Sequence, residues 1–313
     1  MISFGVGFPN SSVLPALRRL SGATVVLCLL VSCVSGPVYP DRPPELSVLT
    51  FNIWYDYENQ WEQRKEVLHE YLVRTDPDIM GLQEVVSAVP EYFLDRNRPL
   101  EWLERHFGDR YEIVGTQTFS PLLVRRAGYT VIESGVYWLS HTPDIAWSNH
   151  WGHIVPTSVT WAKIESTRSG HTFVAKNTHL GVLRPRGRRR SVELIYSRTP
   201  NDIPVVIMGD FNETPNRFVP RYLRNRGFTD AHEGMGGSLR VFANREFAPH
   251  RLDYIMVRGL QVADRRIDSP RRGSLFVSDH NALIAYLVFG YPPPTGPAPT
   301  GPAPPGPAPP GRP

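Results

Sequence analysis

The chain has 313 residues, of which 41% are apolar, so it is long enough for one large domain or two small ones and can bury a full core. The formal net charge is +4, but Arg18, Arg19 and Arg312 near the two ends account for most of it. The remainder has 31 basic and 30 acidic residues, which argues against a protein that binds nucleic acid over its whole surface.

Residues 1–32 are predicted to be an export signal. Two arginines precede the apolar run 23–31, which is too short to span a bilayer and fits a secretory signal. The run ends in Leu30-Val31-Ser32-Cys33, which resembles a bacterial lipobox, so we expect Cys33 to be lipidated and to tether the protein to the outer face of the membrane. A cleaved signal with secretion and an uncleaved anchor are the alternatives. Cys28 is the only other cysteine, so the exported body has no internal disulfide.

The body is predicted to be one folded domain between two simple segments. Residues 33–45 are expected to form a short linker, and the domain spans 46–290. Residues 291–313 repeat proline, glycine and alanine, a composition that cannot pack a core and favours an extended, disordered tail.

Short apolar runs alternate with helical stripes through the body. This pattern predicts one mixed α/β domain, rich in strands and built on more than one sheet layer. The predicted strands are 46–53, 78–84, 111–115, 122–125, 135–140, 158–165, 172–177, 204–208, 251–257 and 282–289, and the predicted helices are 58–74, 100–107 and 186–197.

Polar residues follow several of these strands, where sites in α/β proteins are usually built. The run 204–208 reads as a strand buried on both sides. After Gly209 come Asp210 and Asn212, two apart and therefore on the same side of the strand end. An Asx turn is the structural alternative for this pair. Strand ends elsewhere in the body carry Asn52, Glu84, His179, Asp253, Asp279 and His280.

Six short motifs containing these residues occur in an order that resembles the endonuclease/exonuclease/phosphatase superfamily. This superfamily includes deoxyribonuclease I, abasic-site nucleases, neutral sphingomyelinases and inositol polyphosphate phosphatases. The resemblance implies a deoxyribonuclease I-like fold in an exported bacterial member: an α/β four-layer sandwich of two packed β-sheets flanked by helices. The motifs are Thr50-Phe51-Asn52-Ile53, Gly81-Leu82-Gln83-Glu84-Val85, Asn177-Thr178-His179-Leu180, Gly209-Asp210-Phe211-Asn212, Arg251-Leu252-Asp253-Tyr254-Ile255 and Ser278-Asp279-His280.

The same resemblance implies a metal-dependent phosphoesterase. Hydrolysis of a phosphodiester requires that its charge be neutralised, that water lose a proton and that the leaving oxygen gain one. We expect Mg²⁺, with Mn²⁺ as a substitute, to bind Glu84 with Asn52 beside it, and Asp279 to be a ligand or a supporting carboxylate.

Five residues are expected to carry the catalysis. By resemblance, Asp210 is the acid/base group and Asn212 donates a hydrogen bond to a phosphate oxygen. Asp253 is expected to hold the imidazole of His280 in one tautomer and to favour its charged form. By resemblance, this pair contacts the scissile phosphate or activates water. His179 matches the second catalytic histidine of the deoxyribonuclease I branch.

Two further contacts are expected near the substrate. Glu133 is a candidate partner of His179, with an exposed surface glutamate as the alternative. Arg188 belongs to the basic segment 184–190, which follows His179 and either contacts substrate or is solvated surface.

The chain also departs from its relatives at two places. Trp54 stands where some nucleases of the superfamily have an acid, which puts a second metal ligand in doubt. The segment 157–161 lacks an arginine that many members of the superfamily carry, so we expect one phosphate contact to be missing.

Three functions fit these observations. The first is an extracytoplasmic nuclease that acts as a monomer on nucleic acid. The second is a hydrolase of phospholipid, sphingomyelin, or sugar or inositol phosphate, because the short span from Cys33 to Leu46 would keep the site near a membrane. The third is a non-catalytic surface scaffold that retains the inherited fold.

Overall fold

The structure is a computed structural model that describes residues 44–54, 61–85, 98–239 and 250–290. The predicted signal peptide with Cys33, nearly all of the predicted linker and the proline-rich tail lie outside these residues. Within the described part of the chain, no helix combines the length and hydropathy that a membrane-crossing segment needs.

The described residues form fourteen strands and four helices. The strands are β1 (Leu46–Asn52), β2 (Ile79–Gln83), β3 (Tyr111–Val114), β4 (Leu122–Arg125), β5 (Tyr129–Trp138), β6 (Ser158–Ser166), β7 (Thr172–His179), β8 (Val205–Asp210), β9 (Thr229–Asp230), β10 (Asp253–Arg258), β11 (Leu260–Asp268), β12 (Arg271–Arg272), β13 (Leu275–Phe276) and β14 (Ala282–Phe289). The helices are α1 (Trp61–Thr75), α2 (Arg98–Phe107), α3 (Pro185–Ser197) and α4 (Phe218–Arg224).

Twelve of the strands build two six-stranded mixed sheets. The first has the order β11-β14-β1-β2-β4-β3, and the second has the order β5-β6-β7-β8-β10-β9. One pair in each sheet is parallel, β1 with β2 and β7 with β8, and the other pairs are antiparallel. Strands β12 and β13 form a separate ribbon.

The two sheets pack face to face, and helices cover their outer faces. Successive side chains of a strand point to opposite sides, so Val48 packs in the core between the sheets while Leu49 packs with α1 and α2. In the second sheet Met208 faces the first sheet, and Ile207 packs with α3 and α4. These three apolar layers separate four layers of backbone. The predicted α/β four-layer sandwich is therefore confirmed, and β8 is buried on both sides as expected.

The sheets approach closely next to the polar edge that carries the site. A Cβ atom on Gly81 would lie 2.6 Å from Sδ of Met208, so the position has no room for a larger side chain. Beside it, Gln83 of the first sheet donates a hydrogen bond to Oδ1 of Asn177 in the second, at 2.7 Å. This buried amide pair fixes the alignment of the two sheets at the site.

The predicted elements agree with the structure where the apolar pattern is strong. The stripe on α1 is buried as predicted, with Leu68 and Leu72 fully inside. Strand β5 begins at Tyr129, six residues before the predicted start. The sequence pattern does not predict β11 or α4, because β11 is an edge strand with no continuous buried face and α4 has only seven residues.

Candidate active site

One edge of the two sheets brings together the polar residues that the sequence places at strand ends. Asn52 ends β1, His179 ends β7, Asp210 ends β8 and Asp253 begins β10. The register of the second sheet pairs Asp210 with His179 on one side and with Asp253 on the other. Residues from distant parts of the chain therefore share one cleft.

Asp210 is the centre of this cluster and is 1% exposed. Its Oδ2 atom lies 3.3 Å from Nδ2 of Asn52, 3.4 Å from Nε2 of His179 and 3.7 Å from Nε2 of His280. Burial raises the pKa of the Asp210 carboxyl, and the negative charge of Asp253 raises it further. A carboxylate with a raised pKa is suited to accept a proton during a reaction.

His280 is held between two carboxylates. Its Nδ1 lies 2.7 Å from Oδ2 of Asp253. Burial alone would lower the pKa of His280, but the charges of Asp253 and Asp210 raise it to about 10. Ligand atoms of the three residues lie within 4.8 Å of one another, close enough to hold a metal ion. However, a charged imidazole has no lone pair to offer a metal, so we interpret this trio as a proton-handling group.

A second group of oxygen-bearing side chains lies beside Asp210. The Asn52 amide nitrogen donates to Oε1 of Glu84 at 2.8 Å, and its amide oxygen accepts the backbone N–H of Trp54 at 2.9 Å. Burial raises the pKa of Asp279, and the nearby negative charge of Glu84 adds to this effect. A divalent cation would relieve this repulsion, and such oxygen ligands are the ones that Mg²⁺ prefers. The donor set thus fits the expected metal.

Two serines that the sequence analysis did not single out hold the site in place. The Ser278 hydroxyl donates to the backbone carbonyl of Asn52 at 2.6 Å and accepts the backbone N–H of His280 at 3.0 Å. Ser238 Oγ accepts the backbone N–H of Asp253 at 3.1 Å. Ser278 sits inside a motif that could have pointed to it, whereas Ser238 lies outside all six motifs.

Two site residues adopt a backbone conformation that favours glycine. Glu84 has φ of 59° and Asn212 has φ of 51°. Asn212 is fixed by its backbone N–H, which donates to Oδ1 of Asp210 at 2.8 Å, and by its side chain, which donates to the carbonyl of Leu180 at 2.7 Å. Such strain persists where the surroundings over-determine the position, and it is common at active sites.

The prediction that Glu133 partners His179 is wrong. Glu133 is exposed on β5. In the strand register it lies opposite Lys163 of β6, which lies opposite Val174 of β7. His179 lies five residues beyond Val174, which is about 16 Å along an extended strand. The structure instead gives His179 a partner in Asp210.

The prediction that Arg188 contacts substrate also needs correction. Its guanidinium is buried, with Nε 3.0 Å from Oε1 of Glu213 and Nη1 2.7 Å from the carbonyl of Gly181. The arginine therefore ties helix α3 to the loop that follows β8. Its charge is used inside the protein and is not offered to a substrate.

An apolar cleft opens beside the catalytic cluster. It encloses about 310 Å³, and both Glu84 and His179 form part of its wall. The rest of the wall is made by Phe119, Ser120, Ile154, Val155, Pro156, Thr157, Ser158, Leu180, Gly181 and Val182. We call the whole surface, with Glu84 and His179 included, the apolar cleft.

A larger polar groove lies between α3 and α4. It encloses about 790 Å³ and includes Glu213, which directly follows Asn212. We call it the arginine groove, because five of its wall residues are the exposed arginines Arg186, Arg189, Arg217, Arg221 and Arg226.

The comparisons with known proteins agree with this site. Residues 49–280 match the sequence model of the Endonuclease/Exonuclease/phosphatase family. The chain belongs to this family. No curated protein matches the chain significantly.

Several solved structures of the family are similar to this chain. An endonuclease/exonuclease/phosphatase from Bacteroides vulgatus is 26% identical, with a TM-score of 0.68, 78% of this chain covered and 99% of that one. The mannosyl-6-phosphatase Bt3783 of Bacteroides thetaiotaomicron is 23% identical, with a TM-score of 0.63 and coverage of 78% and 100%. TDP2 of D. rerio, complexed with a single strand DNA product, is 17% identical, with a TM-score of 0.60 and coverage of 78% and 98%.

Family membership confirms the resemblance drawn from the six motifs. Members of the family are phosphoester hydrolases that depend on a divalent metal ion, so the chain is a metal-dependent phosphoric ester hydrolase. The buried Asp210, Asp253 and His280 fit the proton-transfer part of this chemistry. The mannosyl-6-phosphatase and TDP2 structures are less than 25% identical to this chain, so they support its fold and leave its substrate to be inferred from the site.

Proposed function

We propose that the protein is an exported, Mg²⁺-dependent phosphodiesterase that cleaves nucleic acid. The arginine groove is the observation that carries the choice of substrate. Five exposed guanidinium groups line it, and its one acid, Glu213, is neutralised by Arg188. A groove of one charge sign attracts a polyanion to its neighbouring site even when the whole molecule is nearly neutral.

The metal ion is assigned to the side of the cleft that contains Glu84. The carboxylates of Glu84 and Asp279 would hold it, with the amide oxygen of Asn52 beside them. When bound, Mg²⁺ supplies positive charge that stabilises the negative charge developing on the phosphate oxygens.

Four residues of the chain carry out the other catalytic roles. His280, charged and oriented by Asp253, contacts a phosphate oxygen and stabilises the charge that builds there. Asp210, with its raised pKa, takes a proton from the attacking water. Asn212 donates one hydrogen of its side-chain amide to the carbonyl of Leu180 and directs the other to the phosphate. His179, at the edge of the apolar cleft, protonates the leaving oxygen.

The cellular location is proposed from the sequence alone. The signal-like segment 1–32 directs export, and Cys33 tethers the protein to the outer face of the membrane as a lipoprotein. Secretion after ordinary cleavage is the alternative. The protein is proposed to act there as a monomer.

A panel of substrates tests the proposal. The purified protein with Mg²⁺ is incubated with single- and double-stranded DNA, RNA, sphingomyelin and a hexose 6-phosphate, beside the Asp210→Asn and His280→Ala variants. We expect cleavage of nucleic acid, reduced about 10²- to 10⁴-fold by either substitution, because each removes a group that transfers a proton or stabilises charge. His106→Ala, an exposed histidine on α2, is the matched control and should retain full activity.

The outcomes separate the alternatives. Release of phosphocholine or of inorganic phosphate, with nucleic acid left intact, would replace the substrate while keeping the chemistry. Turnover that survives Asp210→Asn would remove the mechanism, and a protein inert on the whole panel would revive the scaffold hypothesis.

Chelation tests the metal assignment separately. EDTA should abolish turnover, and added Mg²⁺ or Mn²⁺ should restore it. In the Glu84→Gln variant, restoration should require a higher concentration of Mg²⁺, because the site has lost a charged ligand. An unchanged concentration dependence in this variant would place the ion elsewhere.

A further inference from the structure

Exposed apolar side chains are concentrated at one place on the surface. Among the described residues, seven large apolar side chains are exposed. Three of them, Ile154, Val155 and Val182, line the apolar cleft, and Leu183 follows Val182 directly, at 64% exposure. Single exposed apolar residues are normal, but a group beside a catalytic cluster indicates a binding surface.

The position of the cleft restricts what can occupy it. Its wall contains the proposed metal ligand Glu84 and the catalytic His179. Whatever enters the cleft therefore lies within reach of the phosphate under attack, and it is best explained as a substituent of that phosphate. The volume of about 310 Å³ is at the small end of ligand pockets, about 300–1,000 Å³, and suits one ring system rather than a pair of acyl chains.

The chemistry of the wall favours a planar, largely apolar group. Phe119 forms one side, and Trp147 supports it with ring centroids 5.9 Å apart. Thr157 contributes a buried hydroxyl oxygen that has no hydrogen-bond partner among the described residues. A sugar ring would bring several hydroxyl groups against a wall that is mainly apolar, whereas a base has apolar faces and one polar edge.

We propose that the apolar cleft binds the nucleobase next to the scissile phosphate. This inference rests on the proposed nuclease function and makes it more specific. Residues 180–182 line the apolar cleft and Pro185 lines the arginine groove, so the two surfaces are adjacent along the chain and could receive the base and the neighbouring phosphates of one strand. Contacts with apolar and aromatic surfaces of this kind are tolerant of base identity.

The test compares strands with and without bases. A 12-nucleotide oligothymidylate and a strand of equal length built from abasic tetrahydrofuran units are cleaved with Mg²⁺, and the ratio of their kcat/KM values is measured. We expect the wild type to prefer the base-containing strand about 5- to 150-fold, since one stacked base contributes about 1–3 kcal/mol. In the double variant Ile154→Ser/Val182→Ser the ratio should fall towards one.

The matched control is Ile132→Ser on β5, which removes an apolar side chain that is 51% exposed and does not line the cleft. It should keep the wild-type ratio, and thermal melts of both variants establish that they are folded. The ratio isolates recognition of the base from general losses of activity, because it compares two substrates of one enzyme.

Three results would overturn the inference in distinguishable ways. A wild-type ratio near one, or an unchanged ratio in the double variant, would remove the base from the cleft while leaving the nuclease function intact. Failure of the wild type to cleave either strand, while it hydrolyses bis(p-nitrophenyl) phosphate, would remove the nuclease function as well. Loss of binding to phosphatidylglycerol vesicles in the double variant, with the ratio unchanged, would indicate that the apolar cleft contacts a lipid surface.

Discussion

His280 combines a buried position with a positive charge, and this combination fixes how the protein should respond to pH. The folded pKa of about 10 is well above the ordinary value of 6.5, so between these two pH values the folded state holds a proton that the unfolded state releases. The stabilisation from the charged pair with Asp253 is therefore complete below about pH 6.5 and is lost as pH rises through 10.

The substitution Asp253→Asn tests this assignment. It removes the carboxylate that contributes most to raising the pKa of His280, so the alkaline limb of the pH–rate profile should move to lower pH. Urea unfolding at pH 6, 8 and 10 should show wild-type stability falling with pH and the variant falling less. A wild-type stability that rises from pH 7 to 10, or an alkaline limb unmoved in the variant, would contradict the charged form of His280.

Gly209 is a further residue whose identity the structure explains. Its φ is 138°, and a Cβ atom there would lie 1.9 Å from the backbone oxygen of Thr178. We expect Gly209→Ala to lower the free energy of unfolding by about 3 kcal/mol or more, because it adds a clash with backbone to an unfavourable φ. Gly227→Ala is the control, with φ of 82° and open space around it. Equal losses in both variants, measured by urea unfolding, would show that the close approach of β7 and β8 is unimportant.

At the scale of the elements, one buried ion pair joins α3, α4 and the catalytic loop. Arg188 of α3 holds Oε1 of Glu213 at 3.0 Å, and Oε2 of Glu213 accepts the backbone N–H of Val219 at the start of α4. Both side chains of the pair are less than 10% exposed. The pair positions the loop that begins with Asn212, and so it supports the site without touching the substrate.

Removing one member of this pair should lower the free energy of unfolding more than removing both members. Arg188→Met or Glu213→Gln alone should lower the free energy of unfolding by about 3–5 kcal/mol, because each leaves an uncompensated buried charge. The double variant should recover part of that loss. Arg272→Met, which breaks a pair with Glu70 in which both partners are more than half exposed, should cost no more than about 1 kcal/mol. Equal urea-unfolding losses for the buried and exposed pairs would contradict this account.

The elements also show where sequence reasoning succeeds and where it cannot. Strands such as β8 and β14 are predictable, because burial on both faces leaves a continuous apolar run that no other structure explains. The edge strand β11 has a bulge and mostly half-buried residues, so it carries no periodic signal. Asp210 and His280 were found through motifs, since chemistry restricts the residue types that can serve there.

Contacts between distant segments cannot be predicted from the sequence pattern. Glu133 and Arg188 were assigned by their proximity in the chain to strands of the site. The register of β5 places Glu133 far from His179. The buried Arg188 has an internal partner in Glu213. The arginine groove and the apolar cleft are each built from several segments, so no single stretch of sequence contains the pattern that defines them.

At the scale of the whole molecule, near-neutral charge conceals a local field. The arginine groove gathers five positive charges between two short helices, and Arg189 lies over the ring of Phe218 with its guanidinium carbon 4.3 Å from the ring centroid. Binding of a nucleic acid strand there should release counterions, so its affinity should fall as salt increases. Proteins that lack such a groove but share the catalytic cluster would show a weaker salt dependence.

The triple variant Arg189→Gln/Arg217→Gln/Arg221→Gln measures this field. Affinity for a fluorescent oligonucleotide is recorded by anisotropy with Ca²⁺ in place of Mg²⁺, from 50 to 300 mM NaCl. For a single strand, each lost phosphate contact should reduce the slope of log affinity against log salt by about 0.7, so the triple variant should lose about 2. The variant Arg74→Gln/Arg105→Gln/Arg272→Gln has the same change in net charge but substitutes exposed arginines outside the groove. A control slope that falls as far as that of the groove variant would assign the effect to overall charge and remove the groove from substrate binding.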